Sequence, residues 1–113
     1  MVDVAPHEFE PSAGQVVTVF RSRLNPERLD AYAELAIEID ALASRQPGFV
    51  DRKTFTADDG ERVTVVTFAD QASHDAWRAH ARHREAQSRG RAELYDSYLI
   101  QVGTCDRAHS FTR

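Results

Sequence analysis

The side chains best suited to chemistry in this chain lie between Phe68 and Phe111. If residues 71–89 form a helix, with about 100° between successive residues, one side of it carries Ser73, Ala76, Trp77, His80, Arg84 and Gln87. A polar group that faces a protein core is costly unless it has a hydrogen-bond partner. This side therefore either finds internal partners or lines a cavity. The opposite side is predicted to be solvated, with His74, Arg78, Arg82, Glu85 and Arg89.

The indole and imidazole groups on this helix each have a structural and a functional interpretation. Trp77 is either a core anchor or the wall of a pocket that stacks on a flat ligand. His80 and His83 are either satisfied by a carbonyl or tyrosine, or act as a general acid or base. Two histidines at this spacing can share a metal, but no third ligand is evident, and no metal site is predicted.

Other polar side chains also have both a structural and a functional interpretation. Gln87 can either orient a substrate carbonyl or form a hydrogen bond with the chain after Gly90. The three tyrosines, Tyr32, Tyr95 and Tyr98, can either donate a hydrogen bond to a substrate or pack in the core. The single cysteine, Cys105, excludes an intrachain disulfide and a cysteine-based zinc site. Phosphate-binding, dinucleotide-binding and nucleophile-elbow motifs are absent from the sequence.

Composition restricts the class of protein. A chain of 113 residues suits one domain, and a net charge of −4 argues against general affinity for nucleic acid or anionic membranes. No apolar run approaches the roughly 18 residues of a membrane span, and the N-terminal residues do not have the pattern of a signal peptide. We therefore expect a cytoplasmic protein without membrane or nucleic-acid partners.

Turn and periodicity signals divide the chain into elements in the order β-α-β-β-α-β. Residues 1–14 are predicted to be a flexible arm and residues 15–113 one domain. Asn25-Pro26-Glu27 is a helix start, and Gln46-Pro47-Gly48 ends that helix. The strands are predicted at 15–23, 49–56, 62–68 and 97–104, the last with a continuation to Phe111 left open. The helices are predicted at 26–45 and 71–89, with a break near Ala81 or Gly90 and a further helical turn at 92–95.

This order predicts an α+β, ferredoxin-like fold, a four-stranded antiparallel sheet with both helices on one face. The other face of such a sheet is normally polar because water covers it. Here the first and third strands are apolar on both faces, with Val16, Val17, Val19, Phe20, Val63, Val65, Val66 and Phe68. A second copy of the chain would cover the free face, and the sequence therefore predicts a homodimer with its sheets packed face to face.

Three stretches give the chain a family resemblance. They are Gln46-Pro47-Gly48-Phe49, the segment from Phe68-Ala-Asp to Trp77, and the pattern His83-x-x-Ala86-Gln87-x-x-Gly90-Arg91-x-x-x-Tyr95-x-x-Tyr98. From about Gln15 to Phe111, the chain resembles the antibiotic biosynthesis monooxygenase (ABM) family of the dimeric α+β barrel superfamily. The third stretch is similar to one bacterial subgroup, which often has Trp where this chain has Leu94.

The resemblance implies one pocket per subunit between sheet and helices. Some family members oxygenate flat aromatic molecules with O2 and without metal or flavin, which requires a base, a donor for the developing oxyanion and a dry pocket. His80 or His83 would then be the base and Tyr98, Gln87 or Trp77 the donors. Trp77, Arg84, Gln87, Phe20, Tyr32 and Tyr95 are the predicted substrate-binding residues, with Tyr98 grouped with the two histidines as catalytic.

Other family members degrade haem, typically with an Asn, a Trp and a His. The aligned residues here are Phe20, Trp77 and Gln87, which argues against that pattern, although His80 or His83 could ligate haem from a shifted position. The leading hypothesis is a cofactor-independent monooxygenase acting on a small aromatic substrate. A haem-binding or haem-degrading protein and a non-enzymatic dimer that binds small molecules are the alternatives.

Overall fold

The structure, a computed structural model, describes residues 9–113 as an antiparallel four-stranded sheet with three helices. The strand order is β2–β3–β1–β4, with β1 at Val16–Leu24, β2 at Phe49–Thr56, β3 at Arg62–Phe68 and β4 at Tyr95–Thr104. The helices are α1 (Leu29–Ser44), α2 (Gln71–Ala79) and α3 (Ala81–Arg89), with a 3₁₀ turn at Pro26–Arg28 and a π-helical turn at Gly90–Leu94. This confirms the predicted α+β ferredoxin-like fold.

Local signals in the sequence fix the ends of the first helix and the hairpin. The side-chain oxygen of Asn25 accepts a hydrogen bond from the Glu27 backbone N–H, and Pro26 begins the 3₁₀ turn that leads into α1. In the β2–β3 hairpin, the Ala57 N–H donates to the Glu61 carbonyl at 2.8 Å. Gly60 supplies the positive φ of +90° that this turn requires.

The second predicted helix is interrupted at His80, whose φ of −60° and ψ of 128° are extended rather than helical. The His80 N–H still donates to the Trp77 carbonyl at 3.1 Å, ending α2. Its Nδ1 accepts a hydrogen bond from the Arg82 N–H at 3.2 Å, which begins α3. One residue therefore caps both helices, and α3 starts with a new rotation relative to the sheet.

His74 corrects the prediction of a solvated outer face, because its side chain is buried against the sheet. Its Nε2 lies 3.4 Å from Thr18 Oγ1, and its ring meets the edge of Phe68 at 6.3 Å between centroids. Ala76, predicted to face inward, is exposed. The face of α2 that packs on the sheet therefore carries His74 and Trp77.

The two faces of the sheet have different surroundings. Thr18 contacts His74 of α2, and Arg52 pairs with Asp40 of α1, so both helices cover the same face. The registers of β1 with β3 and β4 place Phe20, Thr64 and Ile100 on that face as well. The other face, which we call the outer face, carries Val17, Val19, Val63, Val65, Phe55 and Leu99.

The core lies where α1 and α2 meet the sheet. Ala43, Phe68 and Trp77 are buried there, and partly buried apolar side chains surround them, namely Ile39, Leu42, Phe49 and Val66. Phe49 and Phe68 meet edge to face, with 5.8 Å between ring centroids. Burial of each large apolar side chain contributes roughly 1.5–3 kcal/mol, so this cluster holds the two helices on the sheet.

The chain ends differ from the predicted elements in detail. Residues 1–8 of the predicted arm lie outside the described residues, whereas the Gly14 N–H donates to the Cys105 carbonyl at 2.9 Å beside β4. The strand β4 ends at Thr104, and residues 105–113 form no regular element. Within residues 9–113, no helix combines the length and apolar character that crossing a membrane requires.

Gly48, in the turn between α1 and β2, lies against Ser73 of α2 at a contact that only glycine permits, and this gives a stability prediction. Its φ is +82°, and a Cβ there would lie 2.3 Å from the Ser73 Cβ. Gly60 has a similar φ of +90° but nothing within 4 Å. We expect Gly60→Ala to cost about 1–2 kcal/mol through backbone strain alone, and Gly48→Ala to cost about 1–3 kcal/mol more because α2 must move.

Urea unfolding of both variants, followed by circular dichroism, measures this difference. Equal losses of unfolding free energy in the two variants would show that the Gly48–Ser73 contact does not constrain α2.

Candidate functional site

An indole–imidazole cluster, formed by Trp77, His80 and His83, lies where α2 meets α3. The His83 ring stacks on Trp77 with 4.3 Å between centroids and 10° between planes, and the His80 ring lies 5.6 Å from Trp77. Trp77 is 6% exposed and belongs to the core. Since one face of the indole is already covered by His83, Trp77 acts as an anchor for this corner of the fold.

His83 is held in one neutral form by its surroundings. The Trp77 carbonyl can only accept, so Nδ1 of His83, 3.2 Å away, carries the proton and Nε2 keeps a lone pair. Burial lowers the pKa of His83 below its usual value, the hydrogen bond to the carbonyl opposes this, and the neighbouring His80 and His74 lower the pKa further. The imidazole is therefore uncharged at neutral pH and able to accept a proton at Nε2.

His80 has the opposite arrangement. Its Nδ1 accepts from the Arg82 N–H, which leaves the proton of the neutral ring on Nε2. Protonation of Nδ1 would remove the cap of α3, because a protonated nitrogen cannot accept a hydrogen bond. Of the two predicted bases, His83 is the one with a nitrogen lone pair not used by a helix cap.

The inner face of α3 follows from the break at His80. Its partly or fully buried members are His83, Ala86, Gln87 and the following Gly90, at i, i+3, i+4 and i+7. The prediction that Arg84 faces inward is wrong, since its side chain is exposed. On the outer flank, Arg82 pairs with Glu38, with Nη2 2.7 Å from Oε1, and this ties α3 to α1.

The structure brings the other predicted rings together in an aromatic cluster on the helix-covered face of the sheet. It consists of Phe20, Tyr32, Tyr95 and Tyr98. Phe20 lies 5.4 Å from both Tyr95 and Tyr98, and Tyr32 lies 5.9 Å from Tyr95, measured between ring centroids. Tilted and edge-on contacts at these distances are the arrangements that aromatic pairs prefer. Tyr98 stands at the margin, 39% exposed.

Gly90 sets the position of Tyr95 in this cluster. A Cβ on Gly90 would lie 2.7 Å from Cε2 of Tyr95, so the absence of a side chain makes room for the ring. Leu94, at the position where the resembling subgroup often has Trp, is buried with 1% exposure. The π-helical turn therefore holds Tyr95 between the end of α3 and the sheet.

A polar group that the sequence did not single out lies beside the aromatic cluster and consists of Asp40, Arg52 and Arg62. The Arg62 guanidinium carbon lies 5.2 Å from the Tyr32 ring centroid, and Arg52 Nη1 lies 3.0 Å from Asp40 Oδ2. Asp40 Oδ1 and Arg62 Nε are buried without a hydrogen-bond partner among the described residues. Leaving a buried polar atom unpaired costs about 1–3 kcal/mol, so these two atoms require an explanation.

The polar group and the tyrosines influence one another. Burial raises the pKa of Asp40, and the charges of Arg52 and Arg62 partly oppose that rise. Burial also raises the pKa of Tyr95, so its phenol stays protonated and remains a hydrogen-bond donor at neutral pH. The environment around Tyr95 is thus poorly solvated, which strengthens any electrostatic interaction with a bound molecule.

An open groove of about 400 Å³ leads from the surface to Arg62. It runs between the β2–β3 hairpin and the start of α1, and its wall includes Leu24, Pro26 and Leu29. The ion pair of Arg23 with Asp59, 2.8 Å long, stands at its rim. Arg62 therefore contacts both this groove and the aromatic cluster.

Periodicity could have revealed part of the missed polar group. Asp40 follows Tyr32 and Ala36 at i+4 steps on the inward stripe of α1, and Arg62 has the same strand parity as Phe68. Within residues 9–113, no group of three or more histidine, cysteine or acidic side chains is arranged to hold a metal ion.

The residues at the three positions of the haem-degrading pattern are not suited to holding haem. Phe20 lies within the aromatic cluster and offers no hydrogen bond, and the ring of Trp77 is covered by His83. Gln87, at the third aligned position, lies half-buried on the inner face of α3 and is a poor iron ligand beside histidine.

Solved structures share this fold. Rv0793 from Mycobacterium tuberculosis has a TM-score of 0.74 at 15% sequence identity, covering 85% of this chain and 99% of its own. A variant of SnoaB, a cofactor-independent oxygenase from Streptomyces nogalater, has a TM-score of 0.72 at 18% identity, covering 85% of this chain and 97% of its own. At these low identities, the TM-scores establish a common fold alone.

Sequence comparison establishes more than the fold. The uncharacterised protein YqjZ from Bacillus subtilis (strain 168) is 32% identical over 93 residues, 82% of each chain. The profile of the family named antibiotic biosynthesis monooxygenase matches residues 15–89, which is well over half of this chain. The chain therefore belongs to the antibiotic biosynthesis monooxygenase family.

Proposed function

We propose that this protein is a cofactor-independent monooxygenase that uses O2 to oxygenate a small aromatic substrate bound between the sheet and the helices. The observation that carries the proposal is that a member of this family holds a neutral imidazole and a four-ring aromatic cluster along one interior strip. His83, Gln87 and Gly90 share a face of α3, and Gly90 contacts Tyr95 of the cluster. The name of SnoaB as a cofactor-independent oxygenase agrees with this chemistry.

In the proposed reaction the substrate supplies the electrons. Loss of a proton from the substrate gives an anion that reduces O2. One oxygen atom then converts a ring CH2 group to a carbonyl, and the other leaves as water. The protein has to accept the proton, stabilise the anion and exclude water. His83 is the proposed proton acceptor, because its Nδ1 donates to the Trp77 carbonyl and its Nε2 keeps a lone pair.

The remaining predicted residues have narrower roles in this proposal. Phe20, Tyr32 and Tyr95 would enclose the substrate ring, and Tyr98 and Gln87 would donate to its oxygens. Trp77 would position His83 through stacking and its carbonyl rather than bind substrate. Arg84 would have no part in binding, because it is exposed.

We also propose that the protein is a homodimer joined through the outer faces of its sheets. The parts of that face on β1 and β3 are rich in valine. Phe55 and Leu99, beside them, are 52% and 45% exposed. Contiguous apolar surface of this kind is typical of an interface. Two such sheets packed together would bury it in both subunits at once.

The first functional prediction concerns the base. His83→Gln keeps an amide donor for the Trp77 carbonyl but has no basic nitrogen. We expect it to lower kcat by about 10²-fold or more, in an oxygen-electrode assay of chelator-treated protein with hydroxylated two- and three-ring aromatics. The control variant is His109→Ala, because His109 is exposed and lies near the C-terminus. Full turnover in His83→Gln would remove His83 as the base. Ring binding without oxygen uptake in the native protein would favour the non-enzymatic alternative.

The second functional prediction is a pH dependence. Only the neutral imidazole accepts a proton, so kcat/KM should be constant above the pKa of His83 and fall as the pH drops through it. Because that pKa is lowered from 6.5, the midpoint of the acid limb should lie below pH 6.5. The residual activity of His83→Gln should lack this limb. A limb centred above pH 7 would be inconsistent with the buried, neutral His83.

The third prediction tests the assembly. Val19→Glu and Val65→Glu place charges on the outer face, and desolvating them in an interface is costly. We expect each to convert a dimer to a folded monomer in sedimentation velocity at micromolar concentration. Ile37→Glu, at a 72% exposed apolar position on α1, should leave the dimer intact. A native chain that sediments as a monomer would contradict the proposed interface.

A further inference from the structure

Three histidines lie near the junction of α2 and α3, and their ring nitrogens take part in different hydrogen bonds. His74 belongs to α2, His80 is the residue between the two helices, and His83 lies in the first turn of α3. A neutral imidazole has one nitrogen that donates and one that can accept, whereas a protonated imidazole only donates. The effect of a proton therefore depends on whether a structural hydrogen bond uses the accepting nitrogen.

Protonation of His74 or His83 leaves the hydrogen bonds of that ring intact. His74 Nδ1 lies 3.2 Å from a carboxylate oxygen of Asp75, which only accepts, so this nitrogen already donates. Its Nε2, 3.4 Å from Thr18 Oγ1, can donate to that hydroxyl as well as accept from it. His83 Nδ1 already donates to the Trp77 carbonyl. Burial also lowers the pKa of His83, so that ring resists protonation.

His80 differs from both, because its Nδ1 is the acceptor that caps α3. It accepts from the Arg82 N–H at 3.2 Å. A proton on Nδ1 would set two donors against each other and would place positive charge at the positive end of the helix dipole. The Arg84 N–H would keep its bond to the His80 carbonyl at 3.0 Å, whereas the Arg82 N–H would lose its partner. Protonation therefore drives the ring out of the cap.

Other titratable and charged groups reach this junction from all three helices, namely Glu38, His74, Arg82, His83, Arg84 and Glu85. Glu38 of α1 and Glu85 of α3 both bind the Arg82 guanidinium, at 2.7 Å from Nη2 and 3.0 Å from Nη1. The two carboxylates therefore stabilise the charge of Arg82 rather than a cation at His80. The strands contribute Thr18 and Phe68 beside His74, and neither of these titrates.

We propose that His80 is a pH-sensitive switch for α3: its neutral ring holds the first turn of the helix in place, and protonation of its Nδ1 releases that turn. The first turn carries His83, so its release also separates the His83 ring from Trp77. The closed state requires a neutral Nδ1 and binds fewer protons than the released state, so rising pH favours closure and falling pH favours release. The switch goes beyond the proposed function and does not depend on it.

Amide hydrogen exchange of the native protein measures the release without any substrate. With exchange rates corrected for the intrinsic rate at each pH, we expect the protection of the α3 amides to fall about fivefold from about pH 8 to about pH 5.5. The protection of α1 should stay constant, which separates local release from global unfolding. Equal protection of α3 at the two pH values would overturn the proposal.

Fluorescence gives a second measurement of the same event. The chain has one tryptophan, so its emission reports on Trp77 alone. In the closed state the His83 ring covers one face of the indole, with 4.3 Å between centroids. We expect quenching by acrylamide to become more efficient over the same fall in pH, because release uncovers that face. Quenching that is independent of pH would contradict the release of the first turn.

Variants at one position assign the response to His80. His80→Asn keeps an oxygen that can cap α3 and does not titrate, so α3 should stay protected at both pH values. His80→Ala has no acceptor, so α3 should be weakly protected at both. His109→Asn changes an exposed histidine near the C-terminus and should respond to pH as the native protein does.

The comparison of His80→Asn with the native protein decides the proposal even if His80→Ala does not fold. A pH response in His80→Asn equal to that of the native protein would assign the switch to another group, such as His83, and would overturn the role of His80. A response that is present in the native protein and in His109→Asn but absent in His80→Asn would establish it.

Discussion

The extended backbone at His80 controls which side chains α3 presents to the interior. A continuous helix would carry the register of α2 onward and would bring Arg84 toward the sheet. The break restarts the helix, so His83, Ala86, Gln87 and Gly90 face inward. The hydrogen bonds from the Arg82 N–H to His80 Nδ1 and from the Arg84 N–H to the His80 carbonyl begin α3, and the His83 bond to the Trp77 carbonyl fixes its first turn. The indole–imidazole cluster is therefore a structural junction as well as a proposed site of proton transfer.

The interior strip that results has chemically different ends. At one end His83 is neutral, stacked and hydrogen-bonded through Nδ1. Seven residues further, or about 10 Å along a helix axis, Gly90 makes room for Tyr95 and so for the aromatic cluster. Beyond the rings lie Asp40 and Arg62.

Much of the fold could be predicted because short-range signals decide it. Asn25-Pro26 starts a helix, Gly60 permits the hairpin turn, and dense β-branched residues mark the first and third strands. The sequence predicts a break near Ala81 or Gly90, and the structure has the first of these, at His80. The new rotation of α3 after the break could not be predicted, since a histidine side chain takes the capping role that Asn or Asp usually has. On one continuous helix His74 would lie opposite the inward stripe, whereas α2 alone packs His74 and Trp77 on the sheet.

Only part of the candidate site could be predicted from the sequence, for a related reason. Rings and imidazoles stand out in an amphipathic pattern, whereas charged residues such as Asp40, Arg52 and Arg62 are usually assigned to water. Their burial depends on partners that are distant in the chain, since Arg52 reaches Asp40 from β2 and Arg62 reaches Tyr32 from β3. Only the register of the sheet against α1 brings these groups together.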